Sequence, residues 1–320
     1  MNARHIIPFL MVALFGLTAS AYAGRDNEVS KTFEGKKRVI IETVSGDCVI
    51  KAGSSNQIEV HVVHSYRDTD CYDPIIRETS RAIRISEEYY CNTRGNAEWS
   101  ITVPSDTKVR FSSASGDLII ERGISDVTAE TASGDIDVRD FDGELRIETA
   151  SGDVDIEAST GTLDVNTASG EITAIDVSGL IHFDAASGDV EIVGSEGTFQ
   201  VGTASGDVNA SKVTLDGMSE FSTASGEAYV ALEKAAEYDL EVSSASGDAI
   251  VNYSGNTPIG YFEFTAREDR GEIDAPYDFD EEEEFRHYRQ RYMRKAFTRG
   301  GEEPHIEIST ATGEAVLKLR

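Results

Sequence analysis

The sequence is poor in positive charge. Its 320 residues include 29 lysines and arginines against 58 aspartates and glutamates, which gives a formal net charge of −29. A surface of this sign repels the phosphates of nucleic acids and the anionic headgroups of lipids, so nucleic acid is excluded as a general partner. Cations, basic proteins and neutral glycans remain as partner classes. The charge could also serve only to keep a β-rich rod soluble.

The motifs of common catalytic and metal sites are also missing. There is no G-x-S-x-G elbow, no H-E-x-x-H and no pair of cysteines at a metal-binding spacing. The six histidines are scattered. His61 and His64 could share a site with Asp68 or Asp70, but their spacing alone gives this weak support. We therefore predict a non-enzymatic protein without a cofactor, and the alternative from another class is a carbohydrate-active enzyme.

Long apolar runs are absent except at the start of the chain. Arg4 and His5 precede an apolar stretch at 6–17, and Ala-Tyr-Ala at 21–23 is typical of a signal-peptide cleavage site. About 20 apolar residues are needed to span a bilayer, so this shorter run predicts export, with a retained anchor as the alternative. We expect the mature chain to have no transmembrane segment and to lie in the periplasm or at the cell surface.

Cysteine is scarce, with three residues in the whole chain. In an oxidising compartment Cys71 and Cys91 could close a loop of about 20 residues, which would stabilise the fold by roughly 3 kcal/mol. Cys48 occupies a position where other repeats place an inward-facing apolar residue. We predict that Cys48 is a buried free thiol, and pairing between chains is the alternative.

What the sequence does contain is a repeat. Ser-Gly-Asp or Ser-Gly-Glu recurs at 18-residue steps from Ser115 to Ser205, and four of these units carry a second glycine nine residues after the first. Apolar residues follow each glycine at plus two and plus four, as at Ile136 and Val138, which is the period of a strand with one buried face. Such a strand cannot bury its own face, but a stack of them can.

The repeat therefore predicts an all-β fold, a single-stranded β-solenoid (parallel β-helix) with 18 residues per coil in two nonapeptide strand-turns. An up-and-down antiparallel sheet would also explain the alternation. It would not explain a constant step that carries the same turn tripeptide.

An acidic residue follows the turn glycine in coil after coil. The acidic ladder comprises Asp117, Asp135, Asp153, Glu171, Asp189 and Asp207. Like charges about 4.8 Å apart repel by roughly 0.9 kcal/mol in water, so turn amides, serine hydroxyls or bound cations should offset them. Calcium is the candidate cation, and a calcium-stabilised surface rod is an alternative function, because the nonapeptide period resembles that of the calcium-binding β-roll repeats. Those repeats carry a double glycine that this sequence lacks, so the loop that bears their ligands is missing.

Two segments interrupt the repeat and divide the chain. We predict a signal peptide at 1–23, an N-terminal capping coil with a cysteine-bracketed insertion at 24–105 and a regular solenoid at 106–264. A charged, partly helical excursion follows at 265–302, and a C-terminal closing strand occupies 303–320.

Both interruptions are predicted to contain helix. Pro74 to Arg81 favours a short helix, and between Asp278 and Phe297 acidic residues precede basic and aromatic ones, as suits a helix macrodipole. The second helix could dock on its own acidic solenoid as a cap. It could instead bind an anionic partner, such as a phosphorylated glycan or a lipid surface. The candidate partner-binding residues are Arg286, Tyr288, Arg289, Arg291, Tyr292 and Arg294.

The run of Thr-Ala-Ser-Gly-Asp units behind a signal segment resembles a bacterial β-strand-repeat family whose members are described as adhesins of unknown function. The stretch from Trp99 to Pro104, which leads into Ser113 to Asp117, is also similar to the start of that family's repeats. The resemblance covers residues 36–264 and 303–320. It implies a β-solenoid that presents its faces to an envelope glycan, a membrane surface or a protein partner, and it implies no catalytic residues.

Overall fold

The computed structural model describes residues 27–66, 70–287 and 289–320. These residues form 29 strands and no helix. The strands belong to two sheets, A and B, whose inward-facing side chains share one apolar core. The prediction of an all-β solenoid is confirmed. The predicted signal peptide at 1–23, Asp68 and the partner-binding candidate Tyr288 lie outside the described residues.

The first seven strands cover one end of the solenoid. They are β1 (Asn27–Glu34), β2 (Arg38–Glu42), β3 (Asp47–Ala52), β4 (Gln57–His64), β5 (Tyr72–Glu78), β6 (Ile83–Tyr89) and β7 (Ala97–Val103). Sheet A ends in the order β3, β7, β4, β1, in which the last two pairings are antiparallel. Sheet B ends in the order β2, β6, β5, in which β5 is antiparallel to β6.

The helix predicted from Pro74 to Arg81 is wrong, because this segment forms β5 and the turn after it. An isolated helix of this length has a costly nucleus, whereas β6 offers a complete row of backbone partners. β5 is an edge strand, where proline is tolerated because its missing N–H can face away from the ladder. Cys71, just before β5, is joined to Cys91, just after β6, with their Cα atoms 5.1 Å apart. Cys48 is buried and free.

The regular part of the solenoid alternates between the two sheets, with even-numbered strands in sheet B and odd-numbered strands in sheet A. The strands are β8 (Lys108–Ser113), β9 (Leu118–Ile120), β10 (Asp126–Thr131), β11 (Ile136–Arg139), β12 (Asp142–Thr149), β13 (Val154–Glu157), β14 (Thr160–Thr167), β15 (Ile172–Ile175), β16 (Ser178–Ala185), β17 (Val190–Val193), β18 (Glu196–Thr203), β19 (Val208–Leu215), β20 (Ser219–Thr223), β21 (Ala228–Leu232), β22 (Leu240–Ser244) and β23 (Ala249–Asn252). All these strands pair in parallel with the equivalent strand of the next coil. Apolar residues therefore stack on apolar residues, as in the row Val127, Leu145, Leu163 and Ile181.

The glycine of each Ser-Gly-Asp turn in the regular coils has no room for a side chain. A Cβ atom on Gly152 would lie 1.9 Å from the carbonyl oxygen of Gly134 in the coil before it. The hydroxyl of Thr149 accepts a hydrogen bond from the amide of Gly152 at 3.0 Å. Thr131 and Thr167 accept from the equivalent glycines of their own coils. The recurring Thr and Gly are thus explained by close packing of one turn on the next.

Six strands complete the other end. They are β24 (Gly260–Arg267), β25 (Gly271–Asp274), β26 (Glu281–His287), β27 (Gln290–Arg299), β28 (His305–Thr310) and β29 (Gly313–Lys318). β28 lies between β22 and β24 in sheet B, and β29 lies between β23 and β25 in sheet A. The last strands in sequence are therefore inside the stack. β27 and β26 extend sheet B beyond β24 as an antiparallel hairpin.

The helix predicted near the C-terminus is wrong, because β26 and β27 form this hairpin. Complementary charges stabilise cross-strand pairs as well as helical ones, and the register places Glu282 opposite Lys295. Phe297 on β27 is buried and stacks on Phe262 of β24, with ring centroids 4.9 Å apart. A helix would have left the edge of β24 unpaired, so tertiary pairing outweighs the local preference.

The close turn packing predicts a strong effect of one added methyl group. We expect Gly152→Ala to lower the free energy of unfolding by at least about 2 kcal/mol, because overpacking against backbone cannot be relieved by a rotamer change. Thermal or urea unfolding followed by circular dichroism measures this. Gly301→Ala is the matched control, since a Cβ there would meet nothing closer than 3.8 Å. Equal stability of both variants would contradict the packing account.

Candidate binding surfaces

The acidic ladder is exposed, and its carboxylates bind backbone amides. The amide of Asp135 donates to Oδ1 of Asp117 at 3.0 Å, and the amide of Asp153 donates to Oδ1 of Asp135 at 3.0 Å. The same bond joins Asp207 to Asp189 at 2.8 Å. A hydrogen bond to a charged acceptor is stronger than a neutral one. These bonds offset part of the repulsion along the ladder.

Glu171 interrupts this chain of bonds. Its amide donates to Asp153 at 2.9 Å, but no side chain of the described residues accepts from the amide of Asp189 in the following coil. Glutamate is longer by one methylene, so its carboxylate does not reproduce the short aspartate contact. Burial, followed by the charges of Asp153 and Asp189, raises the pKa of Glu171. Glu171 is therefore a weak point of the ladder.

The described residues contain no group of three or more histidine, cysteine or acidic side chains placed to hold a metal ion. Cation binding along the ladder stays a prediction. The histidine candidates are not brought together. His61 contacts the hydroxyl of Ser30 at 2.9 Å, whereas His64, three residues on, is buried on the opposite face of β4 beside Tyr72. Burial lowers the pKa of His64.

The predicted partner-binding residues lie on the C-terminal hairpin, where the structure separates them into two groups. Arg291 and Arg294 are neutralised, since Arg291 lies 2.9 Å from Glu268, and Arg294 contacts Glu263 at 3.9 Å and also Glu283. These two arginines hold the hairpin on the solenoid.

The second group comprises Arg286, Arg289 and Tyr292 and lies at the hairpin tip, which we define as residues 285–287 and 289–292. Arg286 and Arg289 are exposed and form no ion pair within the described part of the chain. Phe285 and Tyr292 stack on each other across the hairpin with centroids 5.6 Å apart. Two free guanidinium groups and an aromatic pair are thus presented together on a strongly acidic protein.

A shallow groove runs beside the tip and crosses the C-terminal ends of successive strands of sheet B. It has a volume of about 650 Å³ and is lined mainly by small side chains, among them Ser222, Ser243, Ser309 and Thr265. Tyr292 forms part of its wall. The groove is therefore a product of small residues repeated at one position of successive strands.

Sequence analysis missed how charge is sorted along the outer face of sheet B. One residue from each of the 13 strands from β5 to β24 forms a central row in continuous register. From the N-terminal end the row is Arg77, Arg84, Ile40, Arg110, Thr128, Arg146, Asp164, His182, Gln200, Glu220, Glu241, Glu307 and Glu263. Its first half is basic and its second half is acidic. The order follows strand pairing across both insertions, so no sequence window contains it.

The acidic half of the central row is under electrostatic strain. Burial and then the charges of Glu307 and Glu220 raise the pKa of Glu241. Burial and then Glu263 raise the pKa of Glu307. No basic side chain of the described residues forms an ion pair with Glu220, Glu241 or Glu307. This half of the row would be stabilised by an external cation or cationic surface.

Glu87 is a second group that sequence analysis missed. It is buried at the N-terminal end and accepts hydrogen bonds from the amide of Val44 at 2.8 Å, the hydroxyl of Tyr72 at 3.0 Å and the indole of Trp99 at 3.1 Å. Its contacts hold the first turn of the solenoid, so its role is structural. Only the tertiary fold reveals it, because a glutamate beside another on β6 looks like surface charge.

Two ladders of parallel strands around one core, closed at both ends by antiparallel strands, define a β-solenoid repeat protein. A family model agrees with this class. The Toastrack DUF4097 model matches residues 36–275, and the chain belongs to that family. The family match supports the resemblance stated above. No curated protein matches the sequence.

Several solved structures are similar over most of their length. A "putative adhesin" from Parabacteroides distasonis is 12% identical with a TM-score of 0.45, and the match covers 91% of this chain and 98% of that one. A second "putative adhesin", from Parabacteroides merdae, is 8% identical with a TM-score of 0.33 over 93% and 98% of the two chains. A "putative lipid binding protein" from Parabacteroides distasonis is 9% identical with a TM-score of 0.30 over 93% and 98%. In the described ranges no helix could cross a membrane.

The interrupted ladder predicts opposite effects for two opposite substitutions. We expect Glu171→Asp to raise the free energy of unfolding by about 1 kcal/mol, because the shorter carboxylate can accept the amide of Asp189. Asp207→Glu should lower it by a similar amount, because it removes the bond from the amide of Glu227 at 2.8 Å. Chemical denaturation measures both. Changes of the same sign would contradict the proposed role of the ladder.

The raised carboxyl pKa values predict how stability depends on pH. Asp155, Glu171, Glu227, Glu241 and Glu307 all have raised pKa values, with burial as the largest cause. At pH values between the ordinary pKa and the raised folded-state pKa of these groups, the folded state binds more protons than the unfolded state. Stability therefore increases as pH falls through that window and is lost as pH rises through the folded-state pKa values.

Thermal unfolding at low ionic strength between about pH 7.5 and pH 5 tests this dependence. The melting temperature should rise as the pH falls. A variant with Glu241→Gln and Glu307→Gln should be more stable at neutral pH and should show a weaker pH dependence. A melting temperature that falls steadily from neutral to mildly acidic pH would refute the expectation.

Proposed function

We propose that this protein is an exported, non-enzymatic adhesin or scaffold of the bacterial envelope, and that it binds an anionic glycan polymer through the tip of its C-terminal hairpin. The observation that carries the proposal is the contrast in charge. Arg286 and Arg289 are exposed and form no ion pair with any described residue, in a chain whose formal net charge is −29. Export is supported by the signal-like segment at 1–23.

The fold supports a presenting role over a catalytic one. Nonapeptide turns leave few long loops that could wall a cleft, and the histidines that sequence analysis considered lie on opposite faces of β4. The neutralised Arg291 and Arg294 anchor the hairpin, so the tip is held at a fixed place on the solenoid. A fixed basic tip on a repeat scaffold suits adhesion.

A polymer fits this surface better than a membrane does. An extended anionic membrane would approach the acidic faces of the solenoid as well as the tip, and the like charges would repel. A narrow polymer can contact the tip without approaching the acidic faces of the solenoid. The stacked rings of Phe285 and Tyr292 add an apolar surface beside the guanidinium groups, which suits the ring faces of sugars.

Co-sedimentation with purified cell-wall sacculi tests the proposal. We expect the protein to pellet with sacculi at low salt and to be released as the ionic strength rises, because exposed charge interactions are screened. The variant with Arg286→Glu and Arg289→Glu should lose at least about nine-tenths of this binding at low salt. A variant with Arg94→Glu and Arg122→Glu has the same net charge and should keep it.

Vesicles that contain anionic lipid are the second arm of the experiment. Binding to vesicles but not to sacculi would replace the glycan with a membrane partner. Binding that both double variants retain, or an absence of binding to both materials, would refute a role for the tip.

A further inference from the structure

Glu220, Glu241 and Glu307 in the acidic half of the central row form no ion pair within the described residues, and the basic half of the same row could supply cations from a second molecule. The positions of the charges are symmetric about β16. Arg146 on β12 and Glu220 on β20 are each two strands from β16, and Arg110 on β8 and Glu307 on β28 are each four strands away. Opposite charges therefore stand at equal distances on the two sides of His182.

We propose that two copies of this chain associate face to face through the outer face of sheet B, about a two-fold axis that runs along β16. Rotation about this axis places the strands of the second copy in reverse order. Each row of side chains then faces the same row of the second copy. Arg146 then faces Glu220 of the second copy, and Arg110 faces Glu307 of the second copy. Both contacts occur twice, as in any isologous interface. Glu220 and Glu307 thereby gain the cations that their own chain does not provide.

The row beside the central row is complementary in size. Its N-terminal half carries the long side chains Glu130 and Glu148, and its C-terminal half carries the small Ser222 and Ser243 of the groove. The same two-fold axis places Glu148 opposite Ser222 and Glu130 opposite Ser243 of the second copy. Serine hydroxyls can donate hydrogen bonds to these carboxylates. The groove thus receives bulky side chains rather than remaining open.

The centre of the face is partly apolar. Leu180 on β16 is 58% exposed although it lies in a regular strand. On the two-fold axis it would meet Leu180 of the second copy. The two-fold axis overlaps the central row from β2 to β24, and these ten strand spacings of about 4.8 Å with three rows of side chains give about 750 Å² per copy. This is the size of an ordinary stable interface, which buries about 800 Å² per partner.

The arginines remain available for this contact. Arg110 pairs with Glu130 at 2.6 Å, and Arg146 pairs with Glu148 at 2.8 Å and with Asp164 at 3.3 Å, but both arginine side chains are more than half exposed. Exposed pairs of this kind contribute little stability. The proposed surface adjoins the hairpin tip at Tyr292 in the wall of the groove, but none of its contacts involves Arg286 or Arg289, so it does not depend on the proposed function.

Sedimentation velocity of the whole protein and of two charge-reversal variants tests the dimer. The first variant carries Glu220→Lys and Glu307→Lys, and the second carries Arg110→Glu and Arg146→Glu. The unmodified protein should sediment as a dimer at low salt and dissociate toward about 500 mM NaCl. Each variant alone should have a dimer dissociation constant at least about tenfold higher, because every designed contact becomes repulsive.

Mixing the two variants should restore the dimer, because the basic face of one then complements the acidic face of the other at all four contacts. Glu157→Lys combined with Glu191→Lys places the same charge change on sheet A and should leave the dimer intact. Circular dichroism melts confirm that each variant is folded. A monomeric unmodified protein, a dimer insensitive to both reversals, or folded variants that stay monomeric when mixed would each overturn the proposal.

Discussion

Each turn of the solenoid rests on the carbonyl oxygen of the turn before it, and the rest of the structure depends on this contact. A Cβ atom at Gly134, Gly152 or Gly170 would lie about 2 Å from the preceding turn. This distance fixes the spacing of the coils, so strands in both sheets pair in one register. That register in turn stacks apolar residues in the core and carboxylates on the surface. The acidic ladder is thus a consequence of turn packing as much as a surface feature.

The same register decides which charges become neighbours. Residues that are distant in sequence, such as Glu241, Glu307 and Glu263, lie side by side because the chain leaves the stack and returns to it. In a parallel stack, a substitution in one strand also changes the row of side chains to which the substituted residue belongs. The sorted charge of sheet B and the small residues of its groove are therefore properties of rows rather than of local segments. Surfaces of this protein should be compared with relatives row by row.

The regular coils could be predicted from sequence because period-two alternation and the recurring glycine report directly on strand and turn. The two ends could not. Glu282 and Arg286 have helical spacing, but Glu282 instead lies opposite Lys295 because the edge of β24 was available for pairing. Pro74 indicated a helix start, and the strand it joins has its partner in β6. Glu87 and the central row were invisible because their partners come from other coils.

The late return of the chain has a consequence for how the molecule is made. β28 and β29 fill gaps between strands that precede them in sequence, so β22, β23, β24 and β25 each lack one strand partner until residues 303–320 have arrived. Synthesis delivers the N-terminal coils first. The part of the chain from β22 onward must therefore wait with open sheet edges, which are the sites where strands of other chains can pair. The final strands thus complete both sheets. A prematurely terminated polypeptide would keep these strand edges unpaired and exposed, where proteases and chaperones could recognise them.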